Sequence, residues 1–298
     1  MPRASRGRTG HARALEGARV STRVDEHFWT AYDGRRYPVD DGVVRMLGAA
    51  DPDLAKELAA QEAALDVYLD ESQLMTLYER RVTRVAVDEM LGAVVPGAAL
   101  LDVGCGIGVL GRLYPQLGLV GVDVSFPLLR QARSGYTLRL ECTADRLPFP
   151  DAAFDGVLAI NMLHHVLEPA GTTAEFARVL KPGGVLVAVD PREVGVVELA
   201  KKVLRRGDAA YADSHRAFGK DEYADLMRAG GALRLEELRL FGLFALLGGG
   251  GLDALGWSKR LPDPGRTLAA LERADSALAH LPGLARAGLN LAARARKR

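Results

Sequence analysis

Between Leu100 and Gly111 the chain reads LLDVGCGIGVLG, a short apolar run carrying one acid, Asp102, that breaks into glycines at 104, 106, 108 and 111. An apolar run of strand length, closely spaced glycines and an amphipathic segment from about Val109 spell strand, tight turn, helix. Glycine is needed where a backbone turns sharply and another group comes close, because there is no Cβ to collide. The helix beyond points its positive end over the turn. A βα connection without a ligand has the same local pattern, so function must be read from what else the chain sets beside this turn.

The segments that follow alternate strand and helix. Strand 98–103 leads to helix 108–115, and GLVGVD (118–123) leads to helix 126–134, opened by Ser125 as N-cap. Strand 137–142 enters a proline-broken loop, DRLPFPDAAFD. Strand 154–160 then runs into NMLHHVLEP and a helix to Leu180, and KPGG turns the chain into strand 185–190. A helix at about 219–229 and a charged, alternating strand at about 232–240 follow. Short strands alternating with helices give an α/β fold, a Rossmann-like doubly wound, mostly parallel sheet with right-handed connections.

Four regions result. Residues 1–24 read as a disordered tail. Residues 25–95 form an N-terminal extension: FWTAYDGRRYPVDDGVVRML suggests a hairpin and arm around two Asp-Gly turns, and helical patterns at about 52–69 and 74–91 form a cap. Residues 96–240 are the core. Residues 241–298 hold a glycine-rich apolar loop, a helical insertion from about Arg266 to His280, and a last element. That element fits a final strand, though its alanines favour helix.

With 298 residues, 48 % apolar and 26 % charged, the chain can bury a sizeable core. A net charge of +1 argues against a surface organised to grip nucleic acid. Cys105 and Cys142 form no CxxC pair, so no zinc ribbon, disulfide framework or other metal site is suggested, and a reducing cytoplasm is the expected compartment. No apolar run reaches the length of about 18 residues that a membrane span needs. The arginine-rich start, MPRASRGRTGHARALEGAR, lacks the apolar middle of a secretory signal.

In an open parallel sheet, ligands bind outside the carboxyl ends of the strands. This sequence sets there the glycine turn, then Asp123, then Ala144 and Asp145, then Asn161, His164 and His165, then Asp190. An acid ending the second strand suits the two hydroxyls of a ribose. Asp145 suits the exocyclic amine of a base. Together with the glycine turn they describe an adenosine site. Gly106, Gly108 and Gly111 also satisfy G-x-G-x-x-G, so an NAD-dependent oxidoreductase is a further alternative. Against it, Asp102 would repel a pyrophosphate, whereas it suits an ammonium or sulfonium, directly or by organising the turn.

DVGCGIG, VGVDVS, TADRLPFPDAAFDGVLAINMLHHV and RVLKPGGVLVAVDP resemble, in order and spacing, the motifs of class I S-adenosylmethionine-dependent methyltransferases. The resemblance is to the methyltransferase type 11 group, which includes ubiquinone and menaquinone biosynthesis methyltransferases. It implies a seven-stranded sheet, with S-adenosyl-L-methionine as cofactor and S-adenosyl-L-homocysteine as product. It further implies that Asp102, Gly104, Cys105 (through its backbone) and Gly106, with Gly108 in the same turn, surround the amino acid part of the cofactor. Asp123 would take the ribose hydroxyls with Val124 beside the adenine, Ala144 and Asp145 would meet the adenine edge, and Asn161 would lie near the methyl group. RRYPVDDGVVRML resembles the tail of a module that precedes some rRNA methyltransferases and carries zinc-binding cysteines there; this chain has none at that place.

Methyl transfer from a sulfonium is an in-line displacement, so the protein mainly positions partners and excludes water. A histidine near a hydroxyl acceptor can take its proton. His165 is the first candidate, His164 the second and His215, in DSHRAF, the third; each also fits a turn-holding role. Tyr78 is a candidate for the cofactor carboxylate or the substrate. No Asn-Pro-Pro-Tyr-like tetrapeptide follows the fourth strand, which disfavours base amino groups as acceptors. The apolar stretch 241–257 suits a small, partly apolar acceptor, methylated on oxygen before carbon or nitrogen. A domain that binds the cofactor or its product without catalysis, as a partner or sensor, is the alternative from another class.

Overall fold

The computed structural model describes residues 27–48, 74–92, 97–194, 217–242, 262–278 and 288–298, together with 59, 65 and 69. The apolar run before the glycines becomes β4 (Leu100–Val103), buried at every position. It lies between β5 (Leu119–Asp123) and β7 (Phe154–Ile160), parallel to both, with Leu101 opposite Val120 on one side and Val157 on the other. A strand covered on both faces needs apolar residues at consecutive rather than alternate positions. β6 (Tyr136–Glu141) continues the sheet beyond β5, and β8 (Leu180–Pro191) continues it beyond β7, both parallel. The chain first builds outward from β4 through β5 to β6, then returns to add β7 and β8 on the other side. That reversal opens a crevice at the carboxyl ends of β4 and β7.

Helices follow as the pattern required, in shorter form. α2 (Val109–Leu113) hands over to a 3-10 turn at Pro115–Leu117, α3 (Phe126–Gln131) begins at Ser125, whose Oγ accepts from the Leu128 N–H at 3.5 Å, and α4 (Pro169–Val179) precedes β8. α5 (Lys220–Leu226) and α6 (Pro264–Leu278) match the later helical patterns. α1 (Leu74–Arg84) continues into a π turn, Val85–Leu91, and packs against α2 and α6. One sheet face buries Phe149, Phe154, Phe176, Phe218 and Tyr223; the other buries Tyr78, Val82, Met90, Leu110 and Leu129. Among the described residues no helix is long and apolar enough to cross a membrane.

One expectation needs correction, and one open reading is decided. Among the described residues the sheet has ten strands, because β1 (Phe28–Thr30), β2 (Arg36–Asp40) and β3 (Val43–Arg45) join it instead of standing apart as an arm. β3 pairs in parallel with β6, Val44 opposite Leu140, and buries Val43 and Val44 completely. The extension is therefore sheet as well as helix. At the other end, the alanine-rich LNLAARARK stretch is strand, not helix: β10 (Asn290–Lys297) lies antiparallel between β8 and β9 (Leu233–Phe241). Ala292, Ala293 and Ala295 are wholly buried there. A slot bonded on both edges and covered on both faces selects small side chains, and this outweighs alanine's helix propensity. The expected tail at 1–24, His215 and most of 241–257 lie outside the described residues, as does the helix at 52–69 apart from 59, 65 and 69.

Tyr136, the first residue of β6, lies in a slot cut by glycines. A Cβ on Gly111 would stand 2.2 Å from the Ser134 carbonyl oxygen and 2.4 Å from the Tyr136 ring, and one on Gly121 would stand 2.7 Å from that ring. Gly111→Ala is therefore expected to destabilise the fold by about 1–3 kcal/mol. Gly171→Ala, where a Cβ within α4 would meet nothing within 4 Å, is expected to stabilise by up to about 1 kcal/mol. Urea unfolding of the two variants beside the parent checks both signs.

Candidate active site

The glycine turn is tied to β5 by the N–H groups of Gly104 and Cys105, which both donate to the Val122 carbonyl at 2.9 and 3.1 Å. Gly104 holds φ +69°, and a Cβ there would stand 2.5 Å from that of Met162, so only glycine lets β4 and β7 end side by side. At Gly106 an added Cβ would meet nothing within 4 Å, so the turn opens there onto free space. The Asp123 carboxylate borders that space. Its Oδ2 accepts from the Gly106 N–H at 2.8 Å and its Oδ1 from the Ser125 N–H at 2.9 Å. Each oxygen keeps a further lone pair for a ligand hydroxyl. Burial raises the pKa of Asp123, while the backbone donors at Ser125, Gly106 and Val124 pull it back. The open cradle and the two-oxygen acceptor suit the ribose of an adenosine cofactor.

Only 3 % exposed, Asp102 accepts from the Tyr136 hydroxyl at 2.5 Å, behind the turn and not in front of it. Burial, helped by the nearby Asp123 charge, pushes its pKa up to about 7 against the pull of Tyr136. The bond to Tyr136 suits the second of the two roles the sequence left open, organising the turn. Cys105 is also buried, and burial pushes its thiol pKa well up.

Across the crevice, Asn161 ends β7 in a left-handed conformation, φ +52°, with its N–H on the Val189 carbonyl at 2.7 Å. Its Nδ2 donates to both carboxylate oxygens of Glu79 on α1, each at 2.9 Å. Burial raises the pKa of Glu79, offset by Asn161 and by the nearby charge of His165. Beside Glu79, Tyr78 is buried with its hydroxyl near Asn290 and within hydrogen-bond geometry of no described residue.

The two histidines part company. His164 Nδ1 lies 2.9 Å from Asp190 Oδ1, which also accepts from the His164 backbone N–H at 3.2 Å, while Asp190 Oδ2 accepts from the Tyr223 hydroxyl at 2.9 Å. Burial pushes the fully covered Asp190 up to about 7. His164 is therefore fixed to the end of β8 through Nδ1, the orientation by which a carboxylate sets an imidazole's tautomer. His165, partly buried, lies near enough to Glu79, Asp123 and Asp190 for its positive charge to lower the pKa of each.

Beyond β6, the Cys142 N–H donates to the Asp123 carbonyl at 3.0 Å, which starts the next loop alongside β5. Val124 and Ala144 are partly buried and Asp145 is exposed. Glu79 and Tyr136 escaped the sequence reading. Tyr136 opens a strand with no motif around it, and no spacing links position 79 to 161. Its neighbour Tyr78, singled out on the same helix, was the available pointer.

Asp102 yields a signed prediction. Its folded pKa of about 7 lies above the unfolded carboxylate value of about 4, so the stability that this group contributes is complete below about pH 4, falls as pH rises toward 7, and is level above. Asp102→Asn does not ionise. Urea unfolding across pH is expected to show the stability difference moving in favour of the variant between about pH 4 and 7, then holding constant. Parallel curves throughout would remove the raised pKa.

Residues 101–188 match the family model described as a methyltransferase domain, type 11. Demethylmenaquinone methyltransferase of Tropheryma whipplei is 40 % identical over 115 residues, 36 % of this chain and 47 % of that protein. Human "Probable tRNA methyltransferase 9B" is 36 % identical over 95 residues, 31 % of this chain and 21 % of that protein. The chain thus spans less than half the length of either relative. The crystal structure of an S-adenosylmethionine-dependent methyltransferase from Thermotoga maritima aligns with TM-score 0.52 at 18 % identity, covering 82 % of this chain and 99 % of that one, a likeness of fold. Ordered motifs, a strand reversal at the glycine turn and the family match converge on the same stretch: residues 101–188 match a methyltransferase domain of type 11.

Proposed function

We propose that this chain moves the methyl group of S-adenosylmethionine to a small, partly apolar acceptor, at oxygen in preference to carbon or nitrogen. The observation that carries the binding part is the Asp123 carboxylate at the open mouth of Gly106, held by two backbone donors with lone pairs to spare. In this reading Asp123 takes the ribose hydroxyls, Val124 lies beside the adenine, and Ala144 and Asp145 meet its edge. The backbone of Gly104, Cys105, Gly106 and Gly108 lines the amino acid portion, with Asn161 and Tyr78 near it. The bound sulfonium supplies an already activated methyl group. The chain's own residues hold the acceptor in line, keep water out and receive its proton.

His165 is the residue proposed to take that proton, with His164, oriented through Nδ1 by Asp190, as the second candidate. The near-zero net charge supports a small acceptor over a polyanion. The tRNA methyltransferase relative makes tRNA the acceptor to test against.

Calorimetry with S-adenosylhomocysteine is expected to show Asp123→Ala binding weaker by about 1.5–3 kcal/mol, the scale of hydrogen bonds to a charged group. A ligand-free melt confirms that the variant folds, and unchanged affinity would remove the ribose assignment. A panel of phenols, quinols, amines and unmodified tRNA with labelled cofactor identifies the acceptor. Transfer to tRNA alone would overturn the small-acceptor reading, and binding without any turnover would favour the non-catalytic one. With a hydroxyl acceptor, His165→Ala is expected to lower kcat by about 10²–10⁴ and to abolish the acid limb of the pH profile. An unchanged rate and profile would free His165 of that role.

A further inference from the structure

The carboxylates at the strand ends fall into three groups. Asp102 is closed off by the Tyr136 hydroxyl, and Asp190 is occupied by His164 and Tyr223. Asp123 serves the turn at Gly106, and Asp145, one loop further on, is exposed. Glu141, which ends β6, is paired with Arg45 at 2.8 Å, and Glu79 is a further carboxylate. It projects from α1, which packs against α2 of the glycine turn, and both of its oxygens meet the single amide nitrogen of Asn161. Asn161 precedes Met162, whose Cβ closes on Gly104. Glu79 therefore stands over the end of the turn away from Asp123.

The Glu79 carboxylate has one neutral amide donor, with His165 the nearby titratable ring, and a partly buried carboxylate so placed gains from a further cation. Among the described residues, Glu79 forms no ion pair with a lysine or arginine. Asn161 meets it from a left-handed backbone conformation, which asparagine tolerates better than most residues. A ligand lying along the turn with its ribose at Asp123 brings its other end toward Asn161 and Glu79.

We propose that Glu79 receives the α-ammonium group of the cofactor's methionine portion, the task that the sequence pattern assigns to Asp102, while Asp102 holds the turn from behind. Asn161 acts as a positioning residue that keeps the Glu79 carboxylate aimed. The assignment rests on the reading of the site as one for S-adenosylmethionine.

The test is calorimetric and needs no turnover. Three probes are titrated at pH 7.5: S-adenosylhomocysteine, its desamino analogue that lacks only the ammonium, and 5′-methylthioadenosine, which lacks the whole amino acid part. The parent protein is expected to favour S-adenosylhomocysteine over the desamino analogue by about tenfold to a hundredfold, the range for a charge-assisted hydrogen bond. Glu79→Gln, which keeps an acceptor for Asn161, is expected to lose that preference while binding the other two probes within about twofold of the parent. Asp102→Asn is expected to retain it. Equal losses for all three probes in Glu79→Gln would reduce Glu79 to a structural prop, and a preference that collapses in Asp102→Asn would return the task to the strand acid. Either result overturns the proposal. A parent with no preference between the first two probes overturns it even if Glu79→Gln does not fold. A parent that binds none of the three overturns the cofactor reading itself.

Discussion

The Tyr136 ring in its glycine-lined slot is the contact on which the site's architecture rests. Its hydroxyl reaches Asp102 at the end of the central strand, and its ring fills the room that Gly111 and Gly121 leave. Core and site are joined through that one side chain: the ring belongs to the packing, and the oxygen sets the state of the acid behind the turn. In this light the glycines of the motif have two duties. Gly104 and Gly106 shape the turn and leave its mouth open, while Gly111 gives space to an aromatic ring from a different strand.

The acids around the crevice differ in role because their surroundings differ. Asp102 and Asp190 are both buried, and burial pushes both up to about 7, yet each is occupied by hydrogen-bond donors from the protein's own core. Asp123 is held by backbone N–H groups that leave its outer lone pairs available. Identity alone would not have separated them. A buried carboxylate already given a phenol donor has little left for a ligand, whereas one held from behind by the main chain is oriented for use.

Much of this was legible in the chain itself, and the reasons differ from element to element. The parallel core could be read because strands covered on both faces leave dense apolar runs, and because Gly104 to Gly111 and Ser125 mark where strand turns to helix. The order of residues along the crevice followed from topology once the strands were placed. Three features were hidden. β10 runs against its alanine content because its state is decided by the strands on either side. β3 joins the sheet through three residues, too few for periodicity to register. The Glu79–Asn161 bond closes over 82 positions of sequence, and no local pattern encodes a contact of that reach.

The place of β10 has a consequence for how the molecule is made. Among the described strands it follows β9 in sequence, yet it is interior to the sheet, bonded along one edge to β8 and along the other to β9. Until residues 290–297 leave the ribosome, β9 has no partner to join it to the rest, and β8 presents an open edge in the nascent chain. The glycine turn and its neighbouring strands can form early from contiguous sequence, whereas β9 joins the sheet only through β10. Synthesis thus imposes an order, glycine turn before the β8–β10–β9 half, with a sheet edge open to other chains in the interval.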